Sequence, residues 1–250
     1  FSEFHLSEHA ALFLYGENYT DVLGGITHRN NKENKLFATR PILGESLHLE
    51  LIVPKAEWED NQIKIEEVVY GYRDIREKAQ KIFRSSGGCN ININCEDGDD
   101  WQLIKRAVAM ITTSGNTRIC TGTLLNNVRQ DSIPYLLTAA HCNVSSTAIF
   151  YFNYESAKCT PNTDGILTNS ISGATHRADA TANFTDFELM ELSSKPPLSY
   201  QVYYAGWSAE EVAAQRSTTI HHPSGDVKKI STDEDSTISS GYYNTTGTTH

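Results

Sequence analysis

The sequence predicts an all-β protein in two parts: a small β-sandwich-like N-terminal unit, then a larger antiparallel barrel or sandwich. Three observations carry this. Short runs alternate apolar and polar residues at period two, the signature of a half-buried strand. Polar turns separate these runs at short intervals, as in sandwiches and barrels. All five cysteines lie between residues 89 and 159, so the chain changes character at Cys89.

In the N-terminal unit, 11–15 (ALFLY) and 21–27 (DVLGGIT) read as two strands around the polar turn Gly16-Glu17-Asn18. Residues 47–53 alternate and stop at Pro54, which cannot extend a ladder. Residues 62–70 (QIKIEEVVY) alternate as well. Glu57, Glu59 and Asp60 read as a solvated loop. Residues 73–84 are rich in helix formers and charge, and Ser85-Ser86-Gly87-Gly88 is a flexible breaker. A boundary is expected there, giving a unit at 1–72 and a helix and linker at 73–88. The segment near Arg84 serves equally as an uncut linker or a processing site.

From Cys89 the expected strands are 89–95, 106–111, 119–125, 135–140, 149–154, 187–192 and 202–207. Gly122 allows close backbone approach within one of them. Residues 208–214 read as a turn, 218–226 as a further segment, and the chain from Ser231 onward as mostly Ser, Thr, Gly and Asp.

Composition narrows the function. The chain has 250 residues, 39% hydrophobic and 21% charged, enough to bury a full core. A net charge of −10 argues against nucleic acid or an anionic membrane as partner. No apolar run reaches the ~20 residues that cross a bilayer. Phe1 rather than Met opens the chain and no leader precedes it, so a processed or excised chain is expected. No two cysteines form a C-x-x-C pair, so disulfides and an oxidising compartment are favoured over zinc. An odd count leaves one thiol over.

The chemistry concentrates on Leu136-Leu137-Thr138-Ala139-Ala140-His141-Cys142. An imidazole at the end of a buried strand sits on a rigid support, which a general base requires. Asp186 heads an alternating strand and is expected to be largely buried. A buried carboxylate against an imidazole fixes its tautomer and stabilises the imidazolium. Composition alone favours a blander account, a packed histidine and a strand-capping acid.

The motifs change that weighting. Cys120-Thr121-Gly122-Thr123-Leu124, Leu137-Thr138-Ala139-Ala140-His141-Cys142, Asp186-Phe187-Glu188-Leu189-Met190-Glu191-Leu192 and Ala205-Gly206-Trp207 occur in one order. That series resembles the chymotrypsin-like serine peptidases. Cys89–Cys95, Leu124-Leu125-Asn126-Asn127, Tyr151-Phe152-Asn153-Tyr154 with Cys159, His221-His222-Pro223 leading to Lys229-Ile230-Ser231, and the final Gly247-Thr248-Thr249-His250 resemble the bacterial lysyl endopeptidase branch. The resemblance spans about residues 88–250.

It implies a trypsin-like double β-barrel domain over 89–250, with the first barrel whole at about 100–192 and the second incomplete. It makes His141 the general base and Asp186 its orienting acid. It pairs Cys120 with Cys142 and Cys95 with Cys159, and leaves Cys89 unpaired in this chain. It implies a secreted serine endopeptidase (extracellular or periplasmic) acting on protein or peptide substrates, after Lys, with no cofactor and no metal. The β-rich 1–72 segment then reads as a propeptide or accessory domain.

The nucleophile motif of that family, Gly-x-Ser-Gly in a Gly-rich turn, is absent and is expected beyond residue 250. Without it, and without the oxyanion-hole amides of the same turn, the 250-residue chain is expected to be inactive. Ser224 has only a Ser-Gly step to recommend it. His176, His221 and His222 are disfavoured as zinc ligands, because adjacent residues on a strand point to opposite faces. The alternative to a peptidase is a non-catalytic secreted homologue acting as a binding or adhesion module. Retention of both His141 and Asp186 counts against it.

Overall fold

The computed structural model describes residues 1–69, 86–113, 119–180 and 185–238. The expected helix at 73–84, Arg84 and the Gly247–His250 motif lie outside the described residues. Among the described residues the protein is all-β, with only short 3-10 helical turns between strands.

In the N-terminal part, β1 (Glu3–His5), β2 (Ala11–Tyr15), β3 (Val22–Thr27), β4 (His48–Ile52) and β5 (Gln62–Lys64) form two small antiparallel sheets. One has the order β3-β2-β4 and the other is β1 with β5. Phe4, Leu6, Leu12, Leu14, Ile26 and Phe37 form a shared core between them. Alternation explains this: Leu12 and Leu14 point inward while Ala11, Phe13 and Tyr15 stay half-exposed. Arg40 is buried and its two terminal nitrogens donate to both oxygens of Asp21, at 2.6 and 3.0 Å.

Two expectations need correction here. Of the run at 62–70, the described residues 62–69 form a strand only over Gln62–Lys64, because its partner β1 is just three residues long. Glu57 is not a merely solvated acid. It lies in a 3-10 turn (Lys55–Asp60) and accepts from the His9 backbone N–H at 3.2 Å and bonds its Nδ1 at 2.7 Å.

The larger part begins with β6 (Ile91–Asn92), and seven strands follow: β7 (Val108–Thr112), β8 (Ile119–Leu125), β9 (Tyr135–Thr138), β10 (Ile149–Phe152), β11 (Ser170–Ser172), β12 (Ala174–Ala180) and β13 (Phe187–Leu192). These seven form one antiparallel sheet, ordered β11-β10-β7-β8-β9-β13-β12. Its two edges, β11 and β12, are consecutive in the chain and are joined by Gly173 alone. The sheet therefore curls until its two edges meet at Gly173. Gly173 makes that corner at φ +87°. Its N–H reaches Ala148 O at 2.6 Å, and its carbonyl accepts from Ser193 N at 2.9 Å, bridging the two sides.

The barrel interior holds Ala109, Ile111, Leu124, Leu136, Phe150, Phe152, Met190 and Leu192, all buried. β7 and β10 are buried on both faces. Their other face carries Met110, Ile149 and Tyr151, which pack on Tyr154 and Val227. Val227 belongs to the segment between β14 (Ser217–His221) and β15 (Lys229–Asp233), which with β6 makes a three-stranded sheet ordered β14-β15-β6.

Sequence periodicity missed β1, β11, β12, β14 and β15. β12 reads ATHRADA and is largely exposed, so it has no apolar stripe to announce it. In the other direction, 202–207 is not a strand. Ala205 makes one parallel bridge to Leu125, donating to Leu124 O at 2.9 Å and accepting from Asn126 N at 2.8 Å. The alternating 89–95 run contributes only β6, since Cys95 is spent on a disulfide and a turn.

Candidate active site

His141 is the middle residue of a 3-10 turn, Ala140–Cys142, that follows directly on β9. Three constraints fix that turn. Cys142 is disulfide-bonded to Cys120 on β8, with Cα atoms 6.2 Å apart. Thr138 is buried at the end of β9 and donates its hydroxyl to Thr121 O at 2.9 Å. Asn143 leaves the turn in the left-handed region, φ +47°, which asparagine tolerates.

Asp186 immediately precedes β13, the neighbour of β9 in the sheet. Antiparallel pairing of Glu188 with Thr138 brings its carboxylate to His141, 45 residues earlier in the chain. Three contacts result. The His141 backbone N–H donates to Asp186 Oδ1 at 2.9 Å, and Asp186 Oδ2 lies 2.7 Å from His141 Nδ1. Asp186 O accepts from Ala140 N at 3.2 Å. The His141 side-chain hydrogen bond, followed by the His141 N–H, holds the Asp186 carboxyl below its usual range. An ionised carboxylate there assigns the proton to Nδ1 and makes Nε2, across the ring, the basic nitrogen.

Asp186 is less buried than its sequence position suggested. Its side chain is 23% exposed and that of His141 64%. The reason is local: Asp186 stands before the strand rather than in it, with φ +48°, so its carboxylate lies at the rim of the barrel.

Glu188 was not singled out in the sequence. It is buried on the interior phase of β13, in step with Met190 and Leu192, where a carboxylate is out of place. Its Oε2 accepts from Val144 N at 3.1 Å. The strand that carries Asp186 thus also grips the loop after His141. A glutamate in phase with Met190 and Leu192 was the available signal.

Cys95 and Cys159 form the second disulfide, with Cα atoms 4.5 Å apart, and Cys89 is exposed and not bonded to another cysteine. Cys120, His141 and Cys142 cluster closely enough to suggest a metal site. Their sulfurs are joined to each other, so they offer no thiolates. His222 is buried and His221 half-buried, and His176 pairs with Asp179 at 3.0 Å. Ser224 is exposed in a 3-10 turn at Pro223–Gly225, with φ +53°.

Residues 83–250 match the family described as lysyl endopeptidase, C-terminal domain. A lysyl endopeptidase of Pseudomonas aeruginosa is 32% identical over 224 residues, covering 79% of this chain and 46% of that protein. The chain thus spans about half the length of the curated relative it matches.

Proposed function

Because the chain belongs to the lysyl endopeptidase family, we propose that it carries the general base and orienting acid of a secreted serine endopeptidase. The observation that carries this is the two-point grip of Asp186 on His141, through Nδ1 at 2.7 Å and the backbone N–H at 2.9 Å. A carboxylate bound at both points holds the ring in one plane and one tautomer. His141 Nε2 then accepts the proton of a serine hydroxyl as it attacks the scissile carbonyl, and Asp186 stabilises the imidazolium. His141 afterwards returns the proton to the leaving amine.

The nucleophile in this proposal is a serine beyond residue 250, in the Gly-x-Ser-Gly turn of the family. The partner of Cys89 and the residues selecting Lys before the cleaved bond are assigned to the same region. Residues 89–250 belong to the peptidase domain, 73–88 link, and 1–72 form a propeptide or accessory unit. Two disulfides support an oxidising, extracellular or periplasmic setting. Among the described residues no helix is long and apolar enough to cross a membrane.

Fluorophosphonate labelling of the longest natural form tests the proposal. One serine adduct beyond residue 250, lost in His141→Ala, is expected. A folded, full-length protein that takes no adduct overturns it in favour of a non-catalytic homologue, and an adduct on Ser224 overturns the placement of the nucleophile.

A further inference from the structure

Lys32 lies in the connection between β3 and β4 of the N-terminal part, and its side chain leaves that part altogether. Its ammonium donates to the carbonyl of Ser146, in the loop that follows His141. Two residues on, Asn34 Nδ2 donates to the Ser146 hydroxyl at 2.8 Å. The same Ser146 carbonyl accepts from Ala174 N at 3.3 Å, the first residue of β12. Gly173 lies beneath the amine, and a Cβ there would collide with Lys32 Nζ. The lysine therefore sits on the seam where β11 passes into β12 and the barrel closes. Burial pushes its pKa down to about 8. A desolvated amine is costly unless its hydrogen bonds are made, so this contact is specific rather than incidental.

Beside this anchor the contact between the two parts opens into a cavity. Leu23, Ile26 and Arg29 on one side and Ser170, Lys195 and Tyr200 on the other line a cavity of about 440 Å³. Packing across that cavity contributes little, which leaves the polar anchor at Ser146 to fix this side of the docking.

We propose that the N-terminal unit is a clamp on the barrel seam, anchored by Lys32 and Asn34 on Ser146, and that it stays bound as a separate chain when the connecting segment is cut. The proposal does not rest on the peptidase reading. To test it, a site-specific protease sequence is placed within 73–84 and the chain is cut after folding. In gel filtration the two pieces are expected to co-elute at micromolar concentration. Lys32→Met, which keeps the aliphatic stem, is expected to weaken their association by about tenfold or more, and Asn34→Ala by less. Hydrogen exchange at 143–148 is expected to rise in Lys32→Met, while near-UV circular dichroism shows the barrel still folded. Separation of the wild-type pieces overturns the proposal. So does an unchanged association in a folded Lys32→Met variant.

Discussion

His141 shows how much of a proposed general base's behaviour lies in its backbone. Asp186 binds the same residue through a side-chain nitrogen and a backbone amide, so ring and turn move together. In the longest natural form, Asp186→Asn is expected to lower kcat by roughly 10³–10⁴-fold, because an amide can impose the wrong tautomer. Steady-state kinetics with a peptide ester checks this, and KM is expected to change little. A different histidine is expected to contribute to acid sensitivity. His222 is buried, with Nδ1 against Asp226 O at 3.0 Å, and burial, aided by the nearby Lys228 charge, pushes its pKa from 6.5 to about 3. The unfolded chain takes up that proton near 6.5 and the folded chain only near 3. Between those values the unfolded state binds more protons, so stability falls as pH drops, at up to about 1.4 kcal/mol per pH unit. Thermal melts from pH 7 to pH 4 are expected to show a shallower decline in His222→Gln than in the wild type.

At the scale of elements, the pairing of β9 with β13 makes the site. Register places Glu188 opposite Thr138, and a slip of one residue would carry Asp186 to the wrong face. The Cys120–Cys142 disulfide ties the His141 turn to β8 across a separation of 22 residues. Replacing both cysteines by alanine is expected to cost about 2–4 kcal/mol, read from urea unfolding. Glu188 secures the far side of the turn. Its replacement by leucine leaves the Val144 N–H without its acceptor, at about 1–3 kcal/mol, whereas Glu188→Gln keeps an acceptor and is expected to lose less.

The whole molecule is joined by buried charge as well as by apolar packing. Glu155 follows β10, and its carboxylate lies 2.7 Å from Lys105 Nζ and 3.5 Å from Lys228 Nζ. Burial would raise the Glu155 carboxyl, but the ammoniums of Lys228 and Lys105 outweigh it and hold it low. Lys228 is fully buried, donates to Lys105 O at 2.7 Å, and has its pKa pushed down by burial to about 8. Lys229 donates to Asn92 Oδ1 at 2.6 Å, which fastens β6 to β15. Segments far apart in the chain therefore meet through buried polar contacts. Glu155→Ala strands two buried lysines and is expected to destabilise the protein by about 3–5 kcal/mol. Replacing Glu155 alone is expected to lower the melting temperature far more than replacing the exposed Glu234, which pairs with Arg216.

The all-β class, the inward phases of β2 and β13, and the two residues of the candidate dyad were legible in the sequence. Period-two alternation reports which side of a strand is buried, and the His-Cys and Asp-Phe motifs occupy strand ends that alternation also marks. The sequence could not show which strands are neighbours. Antiparallel order depends on contacts between distant residues, and an exposed edge such as β12, with Thr, His, Arg and Asp facing water, carries no apolar rhythm. Closure at Gly173, the interior glutamate at 188, the Lys228 network and the reach of Lys32 to Ser146 were decided by tertiary structure. Each is a polar group whose cost of burial is met by a partner far along the chain, and only the folded arrangement brings the two together.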